Sequence, residues 1–239
     1  MFNRVIVAVV GSSESGKTTA VEALIKGLTK SGYTVASAKR IPEPEFTIDT
    51  EGKDTWRHAK AGASTVLSVA PNELTTIKKV DTTNYSLEQV IAEIPEEVDI
   101  IITEGFKSLV GPNASVPKLV AAKTVNEISA AIERYKNILS FVTSVPSGKV
   151  ETEIPLIDAL EEPDRLVELV NSKVEVLVER KRKRGEKITI QVDGNFLPLG
   201  DFVQDIIRNA VLGMVSSLKG VEIKGEEKVS VVIKRLSRD

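Results

Sequence analysis

Cysteine is absent from the chain, and histidine occurs once, at His58. Without thiols there are no disulfides, no thiolate nucleophile and no iron–sulfur ligands. One histidine and no cysteine leave too little to build a zinc site. Any metal is therefore expected to be Mg²⁺ held by oxygen ligands. An excess of one charge is also missing, since 32 basic residues stand against 34 acidic ones for a formal net charge of −2. That balance gives no general attraction for nucleic acid or for a membrane surface. Long apolar runs are lacking as well. Arg4 precedes an apolar run at 5–10, but the run is short for a signal-peptide core and leads straight into a glycine-bounded loop. No segment approaches the length of a membrane span, and a cytoplasmic protein is the expectation.

At 239 residues, 41% of them hydrophobic, the chain can bury a sizeable core. Its length suits one main domain with a small appendage. The most informative stretch is Gly11-Ser-Ser-Glu-Ser-Gly16-Lys17-Thr18, which reads G-x-x-x-x-G-K-[ST]. An apolar strand-like run precedes it and a helix-like stretch follows, the setting that a phosphate-binding loop requires. Gly11 and Gly16 allow a tight turn whose N–H groups converge on an anion. The helix start adds the positive end of its dipole. Lys17 would reach the β- and γ-phosphates, and the Thr18 hydroxyl would ligate Mg²⁺. Ser12, Ser13 and Ser15 are expected to face the anion and Thr19 to adjoin it. Glu14 should point outward, because a carboxylate repels phosphate.

The first two-thirds of the chain alternates β-branched runs with helical periodicity. Strands are expected at 4–10, 34–39, 65–69, 74–80, 99–103, 118–122 and 137–143. Helices are expected at 17–31, 54–61, 87–93, 125–135 and from 163 onward. Such alternation predicts an α/β fold, a mainly parallel sheet with helices on both faces. The run at 74–80 could pair antiparallel at an edge. The helix from Pro163 ends in a basic run at 180–184, read as a solvated helix end and linker in preference to a phosphate or nucleic-acid patch. Beyond it, a strand at 187–192, a turn at 193–195, a helix at 201–218 and a strand at 228–234 suggest a small β-α-β module. Its helix is apolar over more than half its girth, as a buried or oligomer-facing helix would be. The expected organisation is a nucleotide-binding domain at 1–172, a basic helical linker at 173–186 and the module at 187–239.

Ligands of open parallel sheets sit beyond the carboxyl ends of the strands. In the stretch 98–107, Asp99 opens its strand and lies at the wrong end. Glu104 follows the strand's last expected residue and would stand beside the phosphate loop. It is the candidate for Mg²⁺ contact through water or for orienting an attacking water. Gly105 then permits close backbone approach. Lys39 closes the second strand at the same edge. Upstream of a short helix, Asp54 or Thr55 would serve as N-cap and Gly62 as the stop. Asp49 and Lys53 are unexplained by that role and are kept as candidates, Asp49 for metal. His58 is read as a surface or packing residue.

The phosphate loop, the segment Gly52-Lys-Asp-Thr-Trp-Arg-His-Ala-Lys-Ala-Gly-Ala63 and Thr103-Glu-Gly-Phe-Lys107 together resemble the molybdopterin-guanine dinucleotide biosynthesis protein B (MobB) family. The resemblance covers roughly residues 1–170. It implies a dimeric GTP-binding P-loop protein with weak GTPase activity, requiring GTP and Mg²⁺. Such a protein assists the nucleotidyltransferase that joins a guanosine nucleotide to the pterin of the molybdenum or tungsten cofactor. Family roles carry over to Gly11, Gly16, Lys17, Thr18, Asp54, Glu104 and Lys107.

The chain departs from the family pattern twice. After the second strand, Lys39-Arg-Ile-Pro-Glu-Pro-Glu-Phe46 replaces a histidine-bearing segment. At the last core strand Thr143-Ser-Val-Pro146 stands where the family has Ser-Asp-Val-Pro, so Ser144 takes the place of an Asp able to read a guanine edge. Two other readings remain open here. One is a small-molecule kinase, against which Arg40, Arg57 and Arg134 are scattered. The other is a nucleotide-dependent adaptor that performs no catalysis.

Overall fold

The computed structural model describes residues 4–183, 188, 190–192, 195–197, 199–220, 229 and 231. The chain divides into two compact units, Met1–Lys181 and Arg182–Asp239. The first is built on β1, Val5–Gly11, all seven residues of which are buried. Parallel neighbours flank it: β5 (Ile100–Glu104) on one side and β6 (Lys118–Ala121) on the other. Adding β2 (Val35–Lys39), β7 (Ile138–Val142) and the short β8 (Leu156–Ile157) gives a six-stranded sheet in the order β2-β5-β1-β6-β7-β8. Every pairing in it is parallel. All six carboxyl ends therefore lie at one edge.

The alternation of side chains along β1 sends residues to two cores. Val5, Val7 and Val9 join Leu24 and Leu28 of α1 (Lys17–Lys30) and Leu166, Val170, Val174 and Val178 of a long C-terminal helix, Pro163–Lys183. Ile6, Ala8 and Val10 join the opposite face. There they pack with Leu87 and Ile91 of α3 (Leu87–Ala92), Val110 of α4 (Lys107–Val110) and Ile128 and Ala131 of α5 (Val125–Arg134). The long helix is numbered α6, and α2 is the short helix Asp54–Lys60. The expected mainly parallel α/β sheet with helices on both faces is what the structure shows. Residues 4–183 include three elements absent from the sequence expectation, α4, β8 and the 3₁₀ turn Ser147–Lys149, all too short to show a period. Val174 and Val178 are 0% and 2% exposed, so α6 packs on this unit through residues that the basic composition assigns to a linker.

The run at 74–80 forms its own structure. β3 (Thr65–Ala70) and β4 (Glu73–Lys78) make an antiparallel hairpin, a separate two-stranded sheet and not an edge of the main one. In the second unit β9 (Ile190–Val192) pairs antiparallel with β10 (Asn195–Leu197), a strand not expected from the sequence, before α7 (Asp201–Ser216). Phe202, Ile206 and Met214 of α7 are exposed. The turn at 193–194, all of the strand at 228–234 but residues 229 and 231, and the end of the basic run at Arg184 fall outside the described residues, Lys228 and Lys234 included. Among the described residues no helix is long and apolar enough to cross a membrane.

Lys118 is a polar exception inside this core. It opens β6 with 0% exposure, and its ammonium donates to the carbonyls of Asn113, Val116 and Lys136 at 2.6, 2.7 and 2.7 Å. The amine thus staples the loop after α4 to the start of β7. Burial pushes Lys118 down to about 8 from the usual lysine value. In the unfolded chain it would titrate near 10.5. Between these values the unfolded chain holds more protons than the folded one, so this group makes stability rise with pH across that window. Urea unfolding of the protein and of Lys118→Met is expected to show the variant destabilised by about 3 kcal/mol at neutral pH. The gap should widen from pH 8 toward 10; a gap that narrows over that range would contradict the assignment.

Candidate functional site

The loop 11–16 leaves β1 at the carboxyl edge of the sheet. Gly11 has φ of 152° and Gly16 of 87°, and a Cβ at Gly11 would lie 2.2 Å from the Ala121 carbonyl oxygen. Only glycine permits β1 to approach the end of β6 so closely. Gly16 caps α1 in the left-handed conformation, with no side-chain cap on the helix N–H groups. Glu14 is exposed, and its φ of 57° shows that the chain turns sharply there.

The loop's side chains are engaged with one another and with α5. The Lys17 ammonium folds back to donate to the Ser12 carbonyl, and Ser15 Oγ donates to the same oxygen at 2.9 Å. Ser12 turns its hydroxyl away, donating to Glu127 Oε1 at 3.0 Å. Ser12 and Ser15 therefore direct their hydroxyls to protein acceptors, unlike the inward-facing set expected from the sequence. Ser13 is exposed, and its carbonyl accepts from Lys123 Nζ at 3.2 Å. Thr19, half-buried, begins the first full turn behind Thr18.

Glu104 is the last residue of β5, one residue further along the strand than expected, and is 8% exposed. Parallel register sets it opposite Val9 and Lys39. Its Oε1 accepts from Thr18 Oγ1 at 3.3 Å and pairs with Lys39 Nζ at 3.3 Å. Gly105, at φ of 100°, donates its N–H to the Val9 carbonyl, and a Cβ there would meet Arg40 Cβ at 3.2 Å. Asp99 lies at the other end of β5, where its carboxylate accepts from Thr34 N at 3.0 Å. Glu104 is thus the acidic residue at the loop's edge.

Four lysines converge on this edge. Burial holds the Lys17 ammonium below the ordinary lysine value; Glu104 pulls it up, while Lys107, Lys39 and Lys123 push it down. Lys107 starts α4 directly after Gly105 and Phe106. Lys123 and Glu127 were not singled out in the sequence. Glu127 Oε2 accepts from the backbone N–H of Lys123 at 2.6 Å, and that bond, with the Ser12 hydroxyl, holds its carboxyl below the usual range. The signal that could have found Lys123 is the strand-end rule applied to β6, which ends two residues before it.

The segment before α2 stands apart. Lys53 occupies the N-cap position without a side-chain cap, where Asp54 or Thr55 had been expected. Asp54 is the first helical residue and pairs with Arg57 at 3.5 Å. Thr55 Oγ1 instead donates to Asp49 Oδ1 at 3.0 Å, which also accepts from Thr50 N at 2.8 Å. Asp49 Oδ2 is buried without a hydrogen-bond partner. The hydrogen bonds and ion pair of Asp49, Asp54 and Thr55 stay within residues 47–57. Among the described residues no three His, Cys, Asp or Glu side chains come together in a metal-binding group.

Comparison with known proteins agrees with this architecture. A putative molybdopterin-guanine dinucleotide biosynthesis adapter protein from Methanocaldococcus jannaschii is 25% identical over 97% of this chain and 99% of its own length. The molybdopterin-guanine dinucleotide biosynthesis adapter protein of Haemophilus influenzae is 29% identical over 64% of this chain and 80% of its own. Among solved structures, Bacillus subtilis MobB matches with a TM-score of 0.57 at 26% identity, covering 71% of this chain and 97% of that one. A crystal structure of molybdopterin-guanine biosynthesis protein B matches with a TM-score of 0.56 at 26% identity, covering 72% and 99%. Residues 6–144 match the family model for molybdopterin guanine dinucleotide synthesis protein B. With its phosphate-loop sequence set between β1 and α1 and Glu104 beside it, this chain belongs to the MobB family.

Proposed function

We propose that the protein is a GTP-binding adapter of molybdopterin guanine dinucleotide biosynthesis, with slow GTPase turnover. The observation that carries this reading is the convergence of Lys17, Lys39, Lys107 and Lys123 on the strand edge where the loop 11–16 opens. Four cations against two carboxylates, Glu104 beside Lys17 and Lys39 and Glu127 beside Lys123, leave a positive excess that a polyphosphate would neutralise. Lys17 would exchange the Ser12 carbonyl for phosphate oxygens, and Gly16 leaves the N-terminal amides of α1 without a side-chain cap.

Mg²⁺ fits the residues present. Thr18 and Glu104 supply a hydroxyl and a carboxylate 3.3 Å apart. Asp49 also keeps a buried carboxylate oxygen with no partner, but its hydrogen bonds stay within residues 47–57, apart from these two ligands. The ion would neutralise charge on the phosphates when bound. Gly105 flanks this region and Glu104 would orient water, while Lys53 and Asp54 lie at the start of α2, in the segment that stands apart. The Glu104 carboxylate already serves Thr18 and Lys39, so it is a poor free base, which suits slow turnover. The output would be nucleotide-dependent engagement of the nucleotidyltransferase that handles molybdopterin.

The hairpin suits assembly into a homodimer. Leu67, Val69 and Leu74 are 57%, 75% and 68% exposed, and the Val69–Leu74 pairing puts all three on one face. A two-stranded sheet is marginal by itself, so a second surface on that face would stabilise it.

Lys17→Ala is expected to weaken Mg²⁺-dependent GTP binding at least about tenfold, on the order of 1.4 kcal/mol. Calorimetric titration with GTP and ATP, with and without Mg²⁺, checks this, and unchanged affinity would refute the role of Lys17. Replacing Leu67 and Val69 together by Lys should convert the dimer to monomer in sedimentation velocity without unfolding it. A dimer that survives both lysines would place the assembly surface elsewhere.

A further inference from the structure

The corner between β6 and α5 holds two consecutive residues of the loop 11–16. Lys123 Nζ donates to the Ser13 carbonyl at 3.2 Å, and Glu127 Oε1 accepts from the Ser12 hydroxyl at 3.0 Å. Of the two ties, the one through Glu127 is the better anchored. Its second oxygen, Oε2, accepts from the Lys123 N–H at 2.6 Å, and its own N–H donates to Thr124 Oγ1 at 3.2 Å. Thr124 is the N-cap of α5, so Glu127 closes the first turn on itself. The next residue, Ile128, is 0% exposed and Ala131 is 5% exposed, which fixes that turn to the core beneath it. On the strand side the Ala122 N–H donates to the Val142 carbonyl at 3.0 Å, carrying the sheet's register to the corner.

Ser12 is held at both ends. Its hydroxyl goes to Glu127, while its carbonyl accepts from the Lys17 ammonium and from Ser15 Oγ. The Lys17 bond would be given up if that ammonium turned to phosphate oxygens. The Glu127 bond does not involve Lys17 and would persist. A loop fixed in this way gives up less freedom when its ligand arrives. Charge alone gives the opposite expectation, since a carboxylate beside a phosphate site repels the anion. Position and charge therefore differ in sign, and the sign can be measured.

We infer that Glu127 is a positioning residue for triphosphate binding, fixing the phosphate loop to the first turn of α5 through the Ser12 hydroxyl. This role rests on the nucleotide reading above and adds to it the element that sets the loop's geometry. What Glu127 serves is the phosphate chain and not the base, so GTP and a bare polyphosphate should feel its loss alike.

The test is calorimetric titration of the full chain with GTP and with inorganic tripolyphosphate, each with Mg²⁺. The variants are Glu127→Ala, Glu127→Gln, Ser12→Ala and the one carrying both alanines, with urea unfolding to check that each folds. Glu127→Ala is expected to lose about fivefold or more in affinity for both ligands, the order of one hydrogen bond to a charged group. Glu127→Gln should stay within about twofold of the parent, because its carbonyl can accept from the Lys123 N–H and its amide nitrogen can donate to Ser12 Oγ. Ser12→Ala should lose as much as Glu127→Ala, and the variant with both alanines no more than either. Tighter binding by both Glu127 variants would assign the effect to charge and overturn the inference. Unchanged affinity in Glu127→Ala, a glutamine variant as weak as the alanine one, or losses that add in the doubly substituted protein would overturn it too. So would a loss for GTP with tripolyphosphate unmoved. Should Glu127→Ala fail to fold, Ser12→Ala decides, and unchanged affinity there refutes the role. A parent protein that binds neither ligand would sink the nucleotide reading and this role with it, whereas a parent that binds both with unmoved variants sinks this role alone.

Discussion

The close approach of β1 to β6 at Gly11 is the constraint on which the candidate site depends. A Cβ there would collide with the Ala121 carbonyl, so only glycine lets the two strand ends stay in register while the chain turns into α1. The same register fixes what else reaches the edge. Val9 faces Glu104 across the β1–β5 pairing, and Glu104 faces Lys39 across β5–β2. A bend, a carboxylate and a cation thus arrive together because three parallel strands end together. Packing on both faces, with α1 and α6 on one side and α3, α4 and α5 on the other, holds that register.

Electrostatics at this edge is lopsided. Glu104 stands among Lys17, Lys39, Lys107 and Lys123; burial and the other three lysines depress Lys17, while Glu104 opposes them. Glu127 faces Lys123 at the rim of this group and also joins Ser12 of the loop to the start of α5. The loop is therefore tied from two sides, by Glu104 through Thr18 and by Glu127 through Ser12. Such a pre-set loop has less conformational entropy to lose when an anion binds.

Other features lie away from this centre. The β3–β4 hairpin turns an apolar face outward, and a half-open cleft at the carboxyl ends of β7 and β8 is walled in part by the excursion at 145–155. The second unit is represented in the Methanocaldococcus relative, which aligns over nearly the whole chain. The solved structures of the family cover less, 72% and 71% of this chain, a length shorter than the first unit. Structural likeness therefore explains the main sheet and leaves α7, with its exposed Phe202 and Ile206, to be understood on its own.

Local chemistry by itself determined much of this protein. The β-branched runs, the glycine-bounded loop and the stripe on α1 each carry their signal within a dozen residues, because period and turn residues act on neighbours. Glu104 and Asp99 could be told apart for the same reason: a position along a strand says which end of the sheet it occupies. What only tertiary structure decided involves residues far apart in the chain. The tie from Ser12 to Glu127 spans 115 positions, and the bond from the Thr143 N–H to the Ile157 carbonyl needs β8, two residues long. The burial of Lys118 among three carbonyls likewise leaves no mark on sequence pattern. Periodicity records which face of an element is apolar; it holds no information about which distant partner meets that face, and that is set by packing.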